Sequence, residues 1–296
     1  MTDPDLAMRW STTARPDETA PTIQVHWLMA NTVILRQGLE QTAEAPLLYL
    51  LFGEHSALLL DTGDHASRGD FPLRSTVDGL VERWLLEHPR AGYELVVAHT
   101  HAHGDHVAGD GQFIHRDATR IVGHGAAAVA SFFGLHEWPR GTAEFDLGAR
   151  VLQMIPTPGH HPSAVTVYDP ATRILLTGDT VYPGRLYVDD FPAFESSLSA
   201  LCDFAAAHPV TAVLGAHIEM TARPGRDFPR GSTRHPNEAP LTLSVADLRH
   251  VRDAAARVAR RPGAHRFSNF IIWNGPCRRE AALQRIRLQF SRLFGR

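Results

Sequence analysis

From residue 23 onward, short apolar runs alternate with longer amphipathic ones, and the two periodicities predict different elements. Runs rich in Val, Ile and Leu predict strands at 23–36 (bent near Ala30-Asn31), 47–52, 56–61, 94–98, 119–123, 151–155, 164–168, 174–178, 211–215 and 267–273. Several end in Gly or Asp, as buried strands do where they reach a working edge. Apolar positions at helical spacing predict helices over 75–88, 124–134, 194–207, 244–260 and 278–294. The fourth helix has the clearest boundaries. Ser244 caps it, Asp247 sits in its first turn, and Leu248, Val251, Ala255 and Val258 follow until Pro262-Gly263 stops it. Strands first, then mixed strand and helix in both halves, predict an α/β fold: an αββα sandwich of two mixed β-sheets with helices on the outer faces. Residues 1–21, rich in Thr, Asp and Pro and without periodicity, read as a flexible N-terminal arm, and 22–296 as a single domain. The Pro- and Gly-rich stretch 219–240 reads as an ordered loop over a site.

Composition narrows the class of function. Hydrophobic residues make up 44% and charged residues 21% of the 296, so a core of ordinary size forms without further support. A formal charge of −3 gives no overall basic field for a nucleic-acid backbone. No apolar stretch approaches the ~20 residues of a membrane helix, and residues 1–21 hold no signal-peptide core. The expected address is the cytoplasm, with no nucleic-acid or membrane partner. Cys202 and Cys277 make no disulfide framework; Cys202 shares an amphipathic face with Leu198, Leu201 and Ala205 and reads as core. The terminal helix carries Arg278, Arg279, Arg285, Arg287, Arg292 and Arg296, which read as a solvated basic face.

The informative number is 18 histidines, four of them within residues 99–106, His99-Thr100-His101-Ala102-His103-Gly104-Asp105-His106. This turn directly follows the apolar run Leu95-Val96-Val97-Ala98. Neutral imidazole is a strong ligand for zinc and similar divalent ions, and carboxylate supplies a harder oxygen. Residues two apart in an extended stretch point the same way, so His101 and His103 can grip one ion while Asp105 and His106 turn to a second. Desolvating so many titratable groups without a partner is costly, which argues against a purely structural role. Three later segments each place one ligand-type residue at a strand's end: His160 in Thr157-Pro158-Gly159-His160, Asp179 in Leu175-Leu176-Thr177-Gly178-Asp179, and His217 in Ala212-Val213-Leu214-Gly215-Ala216-His217.

The run His101-Ala102-His103-Gly104-Asp105-His106 followed in order by His160, Asp179 and His217 resembles the metallo-β-lactamase-fold hydrolase superfamily, over about residues 23–273. An early motif of that family is matched by Leu58-Leu59-Leu60-Asp61-Thr62-Gly63. The resemblance implies a metallo-β-lactamase-like domain. It implies a two-metal site, with His101, His103 and His160 on one ion, Asp105, His106 and His217 on the other, and Asp179 bridging. Asp61 would orient a ligand imidazole. Position 179 is Asp, unlike the Cys-ligand β-lactamase branch, and position 103 is His where flavodiiron proteins have Glu. Only 37 residues separate Asp179 from His217, too few for the extra domain of nuclease branches. What remains is the glyoxalase II and lactonase-like group.

The reaction expected is hydrolysis of a small ester-like substrate (lactone, thioester or carboxylic ester) by a metal-bridging hydroxide, with Asp105 ferrying a proton to the leaving group. Zinc is the default for the two divalent ions, and iron or manganese also suits the ligand set. A phosphodiesterase on the same ions, or a metal-bearing sensor with incidental hydrolysis, are the alternatives. The partner is a small molecule; the oligomeric state is not legible. After Asp179 the chain offers Tyr182 or Tyr187 to the substrate carbonyl and Arg185 to a substrate carboxylate. Glu219, Met220, Arg234, His235 and Glu238 of the 219–240 loop are further candidates for the pocket.

Overall fold

The run Leu47–Phe52 is apolar at every position, which only a strand covered on both faces can bury. The computed structural model describes residues 3–12, 21–67, 69–275 and 277–294, the side chains of Arg279 and 291–294 excepted. It shows both covers. The first sheet runs β1 (Ile23–Met29), β2 (Thr32–Gln37), β3 (Leu47–Phe52), β4 (Ser56–Leu60), β5 (Glu94–Ala98) and β6 (Thr119–Ile121) in spatial order. Its first four strands form an antiparallel meander, and β4, β5 and β6 are parallel. Alternate side chains divide between two cores. Leu48, Leu50, Leu59 and Val97 pack on Val77 and Val81 of α1 (Leu73–Glu87). Leu47, Tyr49, Leu58, Leu60 and Val96 instead face the second sheet.

That second sheet comprises β7 (Ala143–Asp146), β8 (Val151–Pro156), β9 (Val165–Asp169), β10 (Ile174–Leu176) and β12 (Ala212–Leu214), in the order β12-β10-β9-β8-β7. Met154, Val165, Val167, Leu176 and Leu214 meet the first sheet. Tyr168, Leu175 and Val213 point outward onto α4 (Phe191–Ala207) and α5 (Val245–Val258). The αββα sandwich expected from the sequence is therefore present. Arg150, between β7 and β8, rivets the two sheets: its guanidinium donates to the carbonyls of Asn31 and Phe52, at 2.6 and 3.0 Å, and to Asp169 Oδ2 at 2.6 Å.

A third sheet was not expected: β11 (Arg185–Val188) lies parallel to β14 (Ile271–Asn274), which pairs antiparallel with β13 (Gly263–Arg266). β7, β11 and β13 carry too few apolar alternations to stand out, and the strand expected at 267–273 is confined to β14. The expected 23–36 strand is a hairpin that turns at Ala30-Asn31. β10 and β12 stop short of 178 and 215, because Thr177-Gly178 and Gly215-Ala216 leave the ladder for the site. Helix α4 starts at Phe191 rather than 194, since Asp190 caps it by accepting from the Ala193 amide at 3.0 Å. The other helices are α3 (Ala126–Phe133), the single turn α2 (Gly104–Val107), and α6 (Arg278–Phe294).

Part of the expected N-terminal arm is not loose. Leu6, Met8 and Trp10 pack against the inter-sheet core, and the Asp5 amide donates to the Leu28 carbonyl at 2.8 Å. Residues 1–2 and 13–20 of that stretch lie outside the described residues. Among the described residues, no helix is long and apolar enough to cross a membrane.

Candidate metal centre

Four strands end on one edge of the sandwich, each delivering donor atoms there. β5 runs into His101, His103, Asp105 and His106; β8 leads to His160, β10 to Asp179 and β12 to His217. The first sheet thus supplies four side chains and the second three. Gly178 shows how closely the two edges meet. Its φ is +50°, and a Cβ there would lie 2.5 Å from Cβ of Thr100, so only glycine can stand before Asp179.

Nε2 of His101, Nδ1 of His103 and Nε2 of His160 converge, with mutual separations of 2.9 to 3.2 Å. Nitrogens about 2.0–2.1 Å from one zinc ion stand at nearly such spacings. A second group is formed by Asp105, His106 and His217, whose facing atoms lie 3.4 to 3.5 Å apart. Asp179 stands between the groups. Its Oδ2 is 3.6 Å from Nε2 of His160, and its Oδ1 is 3.7 Å from Nε2 of His106 and 3.4 Å from Nε2 of His217. Oδ1 is buried without a hydrogen-bond partner, a costly state for a carboxylate oxygen that a cation would relieve.

Hydrogen bonds behind the rings fix which nitrogen faces inward. His160 Nδ1 donates to the Tyr187 carbonyl at 2.7 Å, and His217 Nδ1 to the Glu44 carbonyl at 2.8 Å. A carbonyl only accepts, so each Nδ1 carries a proton and, in the neutral ring that a cation would bind, each Nε2 presents its lone pair to the site. Asp61 does the same for His106: its Oδ2 lies 2.9 Å from His106 Nδ1, while its Oδ1 accepts from the Thr100 amide at 2.7 Å. Asp61 is fully buried with φ of +72°, a conformation that aims the carboxylate under the histidine turn.

The charges of the protein alone ask for positive charge here. Burial disfavours ionised His217, but Asp179 and Asp105 outweigh it and raise its pKa to about 10. Burial likewise opposes charge on His106, yet Asp61 and Asp179 hold it well above the usual histidine range. Burial would push the Asp179 carboxyl up, but His217 and His106 bring it down to about 2. In the all-histidine group the sign reverses: burial and the neighbouring His106 and His160 hold His101 well below its ordinary value. Neutral nitrogens on one side, and carboxylates short of positive charge on the other, fit divalent cations in both groups.

The site opens into a cavity of about 770 Å³ lined by His103, Asp105, His160, Asp179, Tyr182, Tyr187, His217 and Glu219, among others. Tyr182, expected to offer its hydroxyl to substrate, instead donates it to the Arg185 carbonyl at 2.5 Å, while its ring lies against His217. Arg185, expected to meet a substrate carboxylate, is not among the residues that line the cavity. Its guanidinium is buried between Glu219 and Asp227, where the sequence gives no hint that partners so distant converge. Tyr187 faces the cavity and accepts from Arg185 Nε at 3.1 Å, which leaves its own proton for donation. Of the loop 219–240, Glu219 and the unforeseen Arg230 line the cavity. Glu238 and His235 are instead buried together, Glu238 pairing with Arg36.

Sequence reasoning also missed Glu44, Asp64, Trp273 and Cys277 as cavity wall; Arg278, read as solvated, is exposed at the edge of the same wall. Arg287 of that helix pairs with Asp227 at 2.8 Å. The side chains of Arg279 and Arg292, and Arg296 altogether, lie outside the described residues. Cys202 is buried among α4 and α5 residues, as its helical face implied.

A family model described as the metallo-beta-lactamase superfamily matches residues 42–235. A hydroxyacylglutathione hydrolase of Anaeromyxobacter dehalogenans is 33% identical over 135 residues, 45% of this chain and 45% of that one. One from Brucella ovis is 29% identical over 123 residues, 40% of this chain and 44% of that protein. The chain thus spans less than half the length of these curated relatives. Among solved structures, the DIM-1 metallo-beta-lactamase superposes with a TM-score of 0.52 at 16% identity, over 81% of this chain and all of that one, a likeness of fold.

Proposed function

Because the chain belongs to the metallo-β-lactamase superfamily, we propose that it is a binuclear metallohydrolase of a small ester-like substrate, with thioesters first, then lactones and carboxylic esters. The observation that carries this reading is Asp179, whose two oxygens face two separate donor groups. His101, His103 and His160 would hold one ion and Asp105, His106 and His217 the other, with zinc the default and iron or manganese also suited. Bound ions would supply an acidified water and polarise the scissile carbonyl. The remaining work falls to the chain. Asp61 holds the His106 ring in place, and the Asp105 carboxylate lines the cavity where it can pass a proton to the departing sulfur or oxygen. The Tyr187 hydroxyl, accepting from Arg185, is the donor free to meet the substrate's carbonyl oxygen. The hydroxyacylglutathione hydrolase names of the relatives support testing thioesters ahead of the other two classes.

The test is kcat/KM on matched thioesters, lactones, carboxylic esters and phosphodiesters, with metal content measured on the same preparation. Turnover of a thioester above every phosphodiester is expected. Phosphodiesters leading the panel, or no turnover by protein carrying two ions per chain, would overturn the proposal.

A further inference from the structure

Behind the histidine turn, donor side chains converge a second time, on residues that the metal centre does not use. His99 is the first histidine of that turn and directly follows β5. Its Nε2 lies 2.8 Å from Oδ1 of Asp110, in the short helical turn Ala108–Gln112. His124, between β6 and α3, brings its own Nε2 to 2.7 Å from the other oxygen, Oδ2. The two imidazole rings meet edge to face, their centroids 5.0 Å apart and their planes at 89°. One donor atom from each residue lies within 4.8 Å of the other two, the same convergence as in the groups of the centre.

Chemistry and burial both suit a cation. Two imidazole nitrogens and a carboxylate are a donor set that zinc takes in proteins, with water at the position left open. His99 and Asp110 form the floor, their side chains 4% and 15% exposed, and His124 at 44% forms the rim. An ion can therefore enter from the solvent side and keep water there. Two neutral rings bond one carboxylate only by carrying their protons on Nε2. An ion would take the place of both protons, which move to Nδ1, and Asp110 would offset half its charge. The floor is also held from below. Thr62 Oγ1 donates to Asp110 Oδ1 at 2.8 Å, while the Thr62 amide donates to the His106 carbonyl at 2.8 Å. Asp110 is thus fixed before any ion arrives, so little ordering opposes binding.

We propose that His99, Asp110 and His124 form a further metal site, separate from the centre, for one divalent transition ion of the zinc class. The ion is held more weakly than those of the centre, since one of its three donors sits on an exposed side chain. Desalting should therefore remove it and leave the ions of the centre in place.

The experiment is a calorimetric titration of the desalted full chain with zinc chloride, with metal content measured before the titration and at saturation. Wild type is expected to take up one more zinc per chain than His124→Ala, a substitution at an exposed position that leaves the core untouched. Asp110→Asn should lose the same ion, and His136→Ala, at an exposed histidine elsewhere, should keep it. Removing one of three donors should weaken zinc here by at least about 100-fold, since even the partners behind a ligand matter by ~10–100-fold. Equal uptake by wild type, His124→Ala and Asp110→Asn overturns the inference. So does a loss in His136→Ala as large as in His124→Ala, which would make the extra ion adventitious. The readout is a difference of one ion between proteins, so the outcome is the same whether or not any ester is cleaved.

Discussion

At Tyr182 and Tyr187 the same side chain has two different tasks, and the difference lies in which way the hydroxyl hydrogen bonds. Tyr182 spends its proton on the Arg185 carbonyl, whereas Tyr187 accepts from Arg185 and keeps its proton. Tyr182→Phe is expected to cost about 1 kcal/mol of stability, read by urea unfolding, with kcat falling less than in Tyr187→Phe. Tyr187→Phe is expected to lower kcat by about 10²-fold with little loss of stability. The reverse order would return Tyr182 to the substrate. Asp61 works through His106 rather than on substrate, so Asp61→Asn should weaken metal affinity by roughly 10–100-fold in competition with a chelating dye. Unaltered affinity would reduce Asp61 to a turn residue. The candidate metal donors were legible in the chain because histidine clusters are rare and each later donor follows a strand. Tyr and Arg roles were not, because the direction of a hydroxyl and the partner of a guanidinium are set by residues tens of positions away, Asp227 for Arg185 above all.

Among the elements, Arg150 with Asp169 cross-links the two sheets. The pair is buried, and Arg150 also reaches carbonyls of the opposite sheet. Burial alone would raise the Asp169 carboxyl, but Arg150 outweighs it and holds it below the usual value of 3.8. A depressed carboxylate stabilises the fold fully above its unfolded pKa and loses that contribution as pH falls through the folded one. Wild-type stability should therefore decline as pH drops below about 4. Asp169→Asn is expected to cost about 3–5 kcal/mol at pH 7 and to flatten this acid slope. Urea titrations at pH 7 and 3.5 read both effects, and an unchanged slope would assign the acid sensitivity elsewhere. Elements that cover a core, such as β3 and α5, were readable because their patterns repeat. β7, β11 and β13 were not: Arg185–Val188 becomes a strand only by pairing with Ile271–Asn274, more than eighty residues on, and its own four residues carry no period.

For the molecule as a whole, bound ions would be structural partners as well as reagents. Two ions per chain are expected by elemental analysis, since seven donors exceed what one tetrahedral zinc uses. Chelation should lower the thermal midpoint by several degrees, because ligand at 1,000 times its Kd contributes about 4 kcal/mol. An identical midpoint with and without chelator would mean the donors stand assembled without help. Gly178 and Thr100 touch where the sheets meet, and the donors divide four and three between those sheets. That division orders events in time. His217 lies 111 residues after His106, on the order of ten seconds of synthesis at ~5–20 residues per second. When that interval opens, the histidine-rich turn is already made and His160, Asp179 and His217 are still to come. Metal loading would thus belong to the end of folding, with the ions closing the sandwich the way a clasp closes a book already shut.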